Sequence, residues 1–264
     1  MRVLTFLFLL TALGATHPVL EDRRINVSGI TLHIRCGGER RSNGPMVVLE
    51  AGAGTSADTW SYVHAPIAEF ARVCAYDRPG IGMSGRAPDG LTTAEYIDLV
   101  HRFLKAAGEP PPYVMVGHSM GGLIVSLYAV RHPADISGLV LVDSSHEDQR
   151  RKFAALTGPP TSAATDASTA APLGLSFTAF ADALREKPWR GTVPVVVLSR
   201  SRPEATNGDP NAEARYALWM ELQRDLATRS PKSEHIVAKN SGHVIQVDEP
   251  QLVIDAVRRV LEMH

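Results

Sequence analysis

This chain of 264 residues contains few cysteines and few aromatic side chains, and neither sign of charge is in excess. The two cysteines, Cys36 and Cys74, are too few for a disulfide-built scaffold or for a zinc site made of thiolates. The 27 basic and 28 acidic side chains leave a net charge of −1, and no basic run lies beside aromatic residues. The composition therefore argues against a nucleic-acid-binding protein.

Long apolar runs are also missing, apart from a short one at the N-terminus. Arg2 is followed by the mostly apolar residues 3–10 and by small residues such as Ala12 and Ala15. This stretch is too short to span a bilayer as a stable helix. The order of charge, apolar stretch and small residues predicts a signal peptide over residues 1–15 and a secreted or periplasmic protein. The alternative is a cytoplasmic protein with an apolar tail.

The rest of the chain alternates between short apolar runs, typical of buried strands, and longer segments with helical periodicity. With 44% hydrophobic residues, it can bury a large core. The predicted strands are 24–27, 31–36, 46–50, 73–76, 113–118, 138–142, 194–198 and 235–238. The predicted helices are 59–71, 92–107, 123–132, 212–228 and 250–261. Such alternation favours a mostly parallel sheet with helices on both faces.

A single serine lies where one of these strands passes into a helix. Ser119 follows the strand 113–118 and has a glycine two positions away on each side, Gly117 and Gly121. A strand that turns this tightly into a helix strains the middle residue and leaves no room for side chains at the flanking positions. The spacing G-x-S-x-G is typical of a nucleophile elbow, although the spacing alone also arises by chance.

The alternation of strands and helices stops between residues 144 and 189, where no strand is predicted. Residues 159–171 consist largely of Pro, Ser, Thr and Ala, a bias typical of irregular segments. We expect the insertion, over about 145–190, to form a cap on the active-site side of the sheet. A plain surface loop is the alternative.

Four motifs together resemble those of the α/β-hydrolase superfamily. They are Gly-His-Ser-Met-Gly-Gly at 117–122, Leu-Glu-Ala-Gly-Ala-Gly at 49–54, Tyr-Asp-Arg-Pro-Gly-Ile-Gly-Met-Ser at 76–84 and Ser-Gly-His at 241–243. The resemblance covers residues 24–264. It implies the α/β-hydrolase fold, with a mostly parallel eight-stranded sheet, helices on both faces and a small cap inserted after the sixth strand. It also implies the chain order nucleophile, acid, histidine.

In that fold the strands that carry the two cysteines are neighbours. A disulfide between Cys36 and Cys74 is therefore compatible with an exported protein. Two buried free thiols are the favoured interpretation.

His243 is the predicted general base. It follows the flexible pair Ser241-Gly242, on a late loop that reaches back over the sheet. A neutral hydroxyl is a poor nucleophile, so Ser119 needs an imidazole to take its proton. His118 is the rival, but the residue beside the nucleophile in such a turn points away from it, which favours a structural or pocket-lining role.

The predicted donors to the oxyanion are the backbone amides of Met120 and Ala53. Met120 directly follows the nucleophile, and Ala53 lies in the small-residue loop after the strand 46–50. Many family members have His-Gly at the point where this chain has Glu50-Ala51-Gly52. The second donor is therefore Ala53 or a residue next to it in the sequence. An ordinary glycine-rich turn is the alternative.

The acid that would orient the histidine has three candidates. The family's usual position follows the seventh strand, where residues 199–204 contain no aspartate. Glu204 and Asp209 stay open if that loop is shifted. Some members take the acid from the end of the sixth strand, where Asp143 lies, and the carboxyl end of such a strand faces the site. Asp143 is favoured, although it could instead cap the segment that follows.

Other polar clusters are assigned no catalytic role. Asp77 and Arg78 are interpreted as a buried polar turn of the fold. His146, Glu147 and Asp148 match no trusted ligand spacing, so neither a metal nor a cofactor is predicted.

These residues predict a serine hydrolase that transfers the acyl group of a small or medium carboxylic ester to water. Ser119 attacks, His243 moves the proton and Asp143 orients the imidazole. The ester preference follows from the commonest chemistry of the superfamily. The alternatives are a lactone, thioester, amide or C–C bond cleaved by the same residues, or a ligand-binding pseudoenzyme of the same fold.

Overall fold

An eight-stranded sheet runs through the computed structural model, which describes residues 18–42, 44–157, 176–203 and 210–263. The strands lie in the order β1-β2-β4-β3-β5-β6-β7-β8. Pairing is antiparallel between β1 and β2 and between β2 and β4, and parallel across the rest. The strands are β1 (Glu21–Val27), β2 (Ile30–Gly37), β3 (Met46–Glu50), β4 (Val73–Tyr76), β5 (Tyr113–His118), β6 (Ile136–Val142), β7 (Val195–Ser199) and β8 (Ser233–Val237). The predicted mostly parallel, eight-stranded sheet is confirmed.

Helices cover both faces of this sheet, as predicted. Within the described ranges the α-helices are α1 (Ser61–Ala68), α2 (Thr93–Ala106), α3 (Met120–Arg131), α4 (Gln149–Thr157), α5 (Phe177–Glu186), α6 (Ala212–Leu226), α7 (Ile245–Asp248) and α8 (Pro250–Glu262). Short 3₁₀ turns occupy Ala57–Trp60 and Pro133–Asp135. The helix predicted over 59–71 is thus a 3₁₀ turn that leads into the shorter α1.

The strand β5 shows why the central strands are almost entirely apolar. Its residues Val114 and Val116 face the core layer that contains α1 and α8. Tyr113 and Met115, which alternate with them, face the layer that contains α2, α3 and α5. Both faces of the strand are buried, so every position favours an apolar side chain. This packing holds the carboxyl ends of the parallel strands at one edge of the sheet.

The predicted pair of free thiols is wrong, because Cys36 and Cys74 form a disulfide. The two residues are directly opposite each other in the antiparallel pairing of β2 with β4, with their Cα atoms 4.1 Å apart. Side chains at such opposed positions emerge on the same face of the sheet. Strand adjacency alone did not reveal this register, so the sequence left the disulfide undecided.

Two expectations fall outside the described part of the chain. The predicted signal peptide, residues 1–15, is among the residues not described, and so is the middle of the predicted cap, residues 158–175. The limits of the cap therefore stay a prediction, with α4 and α5 on either side. No helix in the described ranges is both long enough and apolar enough to cross a membrane.

We expect the disulfide to contribute substantially to stability. It joins residues 38 positions apart, and closing a loop of that length in the unfolded chain corresponds to about 4 kcal/mol. Replacing both cysteines by alanine should lower the free energy of unfolding, measured in urea, by about this amount. Wild-type protein treated with a reductant is the matched control and should lose a similar amount. Alkylation of both thiols in unfolded, unreduced protein would contradict the disulfide.

The fold should also lose stability in mild acid through His64. This residue is buried on α1, where Nε2 donates to the Val73 carbonyl over 3.3 Å, and burial lowers its pKa from 6.5 to about 4. Below pH 6.5 the unfolded chain takes up a proton that the folded chain refuses until about pH 4, so stability falls as the pH falls through this window.

The variant His64→Gln should remove this contribution, which amounts to about 2 kcal/mol at pH 5. The check is urea unfolding of both proteins at pH 8 and pH 5. The pH 8 values correct for the change of side chain, since His64 is neutral there in both states. If His64→Gln and the wild type lose the same free energy of unfolding between pH 8 and pH 5, the prediction is wrong.

Candidate active site

Ser119 occupies a strained turn at the junction of β5 and α3. Its backbone angles are φ 53° and ψ −122°, a left-handed φ that residues other than glycine rarely adopt. Met120 is already the first residue of α3, three positions earlier than the predicted helix start. Its amide therefore belongs to the first turn of the helix, where N–H groups have no partner within the helix. The geometry is that of a strand–turn–helix elbow with a serine at its tip.

The two glycines that flank Ser119 are required by close backbone approach. A Cβ atom on Gly117 would lie 2.6 Å from the carbonyl oxygen of Gly121, within the turn itself. A Cβ atom on Gly121 would collide with the carbonyl oxygens of Glu50 and Ala51 at the end of β3. The glycines therefore allow the turn to be tight and allow α3 to pack against the β3 loop.

Asp143 lies in a second strained position, directly after the neighbouring strand β6. Its φ is 40°, and its N–H donates to the Leu198 carbonyl on β7 over 2.7 Å. The Ser119 amide in turn donates to the Val142 carbonyl at the end of β6 over 3.2 Å. The two strained residues thus follow adjacent parallel strands and lie at the same edge of the sheet. Backbone strain of this kind is concentrated at functional sites.

The structure brings Asp143 and His243 together. Asp143 Oδ2 lies 2.6 Å from His243 Nδ1, and the Asp143 side chain is fully buried. Three further donors reach the same carboxylate: the Arg200 amide at 3.0 Å, Arg200 Nη1 at 2.9 Å and Trp219 Nε1 at 3.0 Å. These hydrogen bonds offset the cost of burying the carboxylate. The contact leaves Nε2, the other ring nitrogen of His243, for a second partner.

The loop that carries His243 is tied down on both sides. Asp248 on α7 accepts hydrogen bonds from the Gly242 amide at 2.8 Å and the Ser241 hydroxyl at 3.2 Å. On the other side, His118 Nε2 lies 2.9 Å from the His243 carbonyl oxygen. A carbonyl only accepts, so Nε2 of His118 carries the proton in this bond.

His118, the rival histidine, is therefore a partner of the His243 backbone. It is buried at the end of β5, and its ring centre lies 4.7 Å from that of His243. Burial, followed by the nearby His243, lowers the pKa of His118 to about 4. The His118 ring is neutral at physiological pH, and its hydrogen bond holds the backbone of the loop that carries His243.

The predicted oxyanion loop lies against Ser119. A Cβ atom on Gly52 would be 3.5 Å from Ser119 Cβ and 2.8 Å from His118 Nδ1. Any side chain at position 52 would therefore press on His118 and crowd Ser119. Ala53, the predicted second donor, is the next residue and is partly exposed.

Arg78 holds this loop, a role that sequence reasoning missed. Its buried guanidinium donates through Nη1 to Glu50 Oε1 at 2.6 Å and to the Ala51 carbonyl at 2.7 Å, and through Nη2 to the Gly52 carbonyl. The carbonyl oxygens of Ala51 and Gly52 point at Arg78. Because the C=O and N–H of a trans peptide unit point in opposite directions, the amides that follow these carbonyls point away from Arg78. The sequence did contain a signal for this role. Many family members have His-Gly where this chain has Glu50, and a carboxylate buried at that point requires a cation as its partner.

Asp77 confirms the interpretation of the 76–84 motif as a buried polar turn. Its carboxylate accepts from the amides of Ala57 at 2.7 Å and Met83 at 2.9 Å and contacts His33 Nδ1 at 2.8 Å. These contacts join the turn after β4 to the start of the 3₁₀ helix and to β2.

Comparison with known proteins agrees with this architecture. A family model described as the alpha/beta hydrolase fold matches residues 44–176, about half of the chain. The chain belongs to the α/β-hydrolase family. The uncharacterized protein YqjL of Bacillus subtilis (strain 168) is 32% identical over 237 residues, which cover 88% of each chain.

Solved structures share the fold of this chain at lower identity. A thermophilic esterase from Thermogutta terrifontis superposes with a TM-score of 0.65 at 19% identity, over 92% of this chain and 98% of the esterase. The enol-lactonase from Burkholderia xenovorans LB400 gives 0.63 at 20% identity, over 91% and 100%. At these identities the likeness concerns the fold alone.

The chain differs from the family's usual arrangement at the carboxyl end of β7. Arg200, a cation, directly follows that strand, where the family resemblance led us to look for an acid. The other two candidate acids, Glu204 and Asp209, lie outside the described residues. Asp143 is the carboxylate that the described structure places against His243.

The side chains of residues 146–148 are engaged in ion pairs and are not arranged around a metal ion. Arg229 Nη2 lies 2.7 Å from Glu147 Oε1 and 2.9 Å from Asp225 Oδ2, which also contacts His146 at 3.0 Å. Asp148 pairs with arginines on α4 and α5. The network fastens the segment after β6 to the end of α6.

Among the described residues, two other clusters bring possible metal ligands within 4.8 Å of one another, and neither is arranged as a metal site. In the first, the rings of His101 and His132 stack with centres 4.1 Å apart and planes 3° apart beside Asp135. A ring nitrogen binds an ion in the plane of its ring, so two parallel rings cannot both point to one ion. The second cluster contains Cys36 and Cys74, whose sulfurs are already bonded to each other.

We expect Asp143→Asn to lower turnover by up to about 10⁴-fold, because the amide would favour the wrong tautomer of His243. The measurement is kcat for ester hydrolysis, with thermal unfolding as the test of folding. Asp209→Asn and Glu204→Gln are the matched controls and should cost far less. A variant of either control residue that is as inactive as Asp143→Asn would return the acid to the loop after β7.

Proposed function

We propose that this protein is a serine hydrolase whose nucleophile is Ser119, whose general base is His243 and whose orienting acid is Asp143. The observation that carries the proposal is the 2.6 Å contact between Asp143 and His243, at the sheet edge where Ser119 occupies the strained turn after β5. Nucleophile, base and orienting group are the three roles that acyl transfer by serine requires.

The first half of the reaction forms an acyl-enzyme. His243 Nε2 takes the proton of the Ser119 hydroxyl as its oxygen attacks the ester carbonyl carbon. The amides of Met120 and Ala53 donate to the oxyanion of the tetrahedral intermediate. His243 then gives the proton to the leaving alcohol as the ester C–O bond breaks.

The second half releases the acid. Water gives a proton to His243 and attacks the acyl carbon, and Ser119 leaves with the proton that His243 returns. Asp143 keeps its charge throughout and stabilises the imidazolium that forms in each half.

Carboxylic esters of small or medium size are the proposed substrates. A structural relative named as an esterase shares the fold, which supports the reaction class by analogy. Hydrolysis rates over p-nitrophenyl esters of increasing acyl length would locate the preferred size.

We also propose that the protein is exported. The disulfide between Cys36 and Cys74 supports this, because disulfides persist in oxidising compartments and are rare in the cytosol. Fractionation of cells that make the full chain would place it, and an exclusively cytosolic, reduced protein would contradict the proposal.

Ser119→Ala should abolish ester hydrolysis, with a loss on the order of 10⁴-fold or more, because no other group replaces the attacking oxygen. The measurement is kcat/KM for the best ester. Ser126→Ala, a buried position on the helix α3 that follows Ser119, is the matched control and should keep its activity. Retention of activity within tenfold in Ser119→Ala would show that the nucleophile lies elsewhere.

A further inference from the structure

Two buried side chains of α6 reach the strained turn after β6. Trp219 and Gln223 are four positions apart, so they lie on the same face of the helix. Trp219 Nε1 donates to Asp143 Oδ1 over 3.0 Å, and Gln223 Nε2 donates to the Ser144 carbonyl over 2.8 Å. The helix is therefore bonded both to the side chain of Asp143 and to the backbone directly after it.

The bond from Trp219 helps to set which oxygen of Asp143 faces His243. Oδ1 accepts from Trp219 and from the Arg200 amide, each at 3.0 Å, while Oδ2 lies 2.6 Å from His243 Nδ1. A carboxylate is planar, so donors that hold Oδ1 also fix the direction of Oδ2. Loss of the indole N–H would remove one of these two donors and leave the carboxylate freer to rotate about its Cβ–Cγ bond.

The bond from Gln223 acts on the turn that holds Ser119. The Ser119 amide donates to the Val142 carbonyl over 3.2 Å, and the Ser145 amide donates to the Ser119 carbonyl over 3.0 Å. The turn after β6 thus binds both sides of the Ser119 backbone. Ser144 lies between these two contacts in the sequence, and its carbonyl is the group that Gln223 ties to α6.

We propose that Trp219 and Gln223 are positioning residues: Trp219 directs Asp143 Oδ2 toward His243, and Gln223 holds the turn after β6 against Ser119. The inference rests on the proposed function for its catalytic meaning. His243 acts in both halves of the reaction, so a poorly oriented imidazole slows acylation and deacylation alike. Loss of either positioning residue therefore lowers kcat and leaves KM nearly unchanged.

The test uses variants that remove one hydrogen bond and keep most of the packing. Trp219→Phe removes the indole N–H but keeps an aromatic ring beside His243, whose ring centre lies 6.4 Å from that of Trp219. Gln223→Met removes the amide and keeps a side chain of similar length. Trp60→Phe is the matched control, because Trp60 is also buried and its Nε1 has no hydrogen-bond partner among the described residues. Thermal unfolding and circular dichroism identify the variants that fold.

The first measurement is kcat and KM for hydrolysis of a p-nitrophenyl ester. Trp219→Phe should lower kcat about tenfold, because a hydrogen bond to a charged group is lost, and Gln223→Met should lower it about threefold. Trp60→Phe should keep the wild-type values. When Trp219→Phe is added to Asp143→Asn, it should cost less than about threefold, because the carboxylate that the indole positions is already absent.

The second measurement does not depend on activity. The His243 Nδ1 proton is observed by ¹H NMR in a Ser119→Ala background, where a strong hydrogen bond to Asp143 gives a resonance far downfield. Trp219→Phe should move this resonance upfield, and Trp60→Phe should leave it in place. Failure of the proposed function would appear instead as hydrolysis that survives Ser119→Ala, and the resonance would still report on the orientation of Asp143.

The proposal is overturned for Trp219 by an equal loss of kcat in the wild type and in Asp143→Asn, because the indole would then act independently of the carboxylate. An unchanged His243 resonance in Trp219→Phe would overturn it as well. Wild-type kcat in folded Gln223→Met would remove Gln223 from the proposal. A variant that does not fold shows that its residue is structural, and loss of folding in both would overturn the whole proposal.

Discussion

The carboxylate of Asp143 is the point on which the rest of the site depends. A fully buried anion is very costly unless its lone pairs are satisfied, and here donors from three separate parts of the chain converge on it. The backbone and side chain of Arg200 approach from the end of β7, Trp219 from α6 and His243 from the loop before α7. The positions of all three elements are therefore linked to one charged group.

The same arrangement explains why strain is tolerated at the edge of the sheet. Ser119 and Asp143 each adopt a left-handed φ, which costs on the order of 1–3 kcal/mol per residue. The strands that precede them are buried on both faces and hydrogen-bonded to both neighbours, so the core is the source of the compensating stability. The strained residues project from rigid strand ends, and Arg78 holds the loop after β3 beside them. Rigid support of this kind holds side chains in a fixed geometry.

Local pattern was sufficient for the parts of the fold that are encoded within a few residues. The boundaries of β3, β4 and β5 follow from apolar runs, and the elbow at Ser119 follows from glycine spacing. Asp143 was favoured because it ends a strand, which is again a local feature. The helix α5 was not predicted, although its apolar face and Ser176 at its start were a usable signal.

Features that depend on contacts between residues distant in the sequence could not be predicted from local sequence pattern. Arg200 and Trp219 lie 57 and 76 positions from Asp143, and nothing in their own neighbourhoods marks them as its partners. Predicting the disulfide required knowledge of the register of β2 against β4. Predicting the contacts of Arg78 required knowledge of the path of a loop 26–28 residues earlier in the chain. In each case tertiary packing decides the contact, and the local sequence is compatible with several outcomes.

The central claim is that His243, oriented by Asp143, activates Ser119. The most direct measurement is reaction with a fluorophosphonate followed by peptide mapping of the adduct, in the wild type and in His243→Ala. We predict a single phosphonyl group on Ser119 of the wild type and none on the variant over the same time. An adduct on a different residue, or equal labelling of the two proteins, would contradict the account.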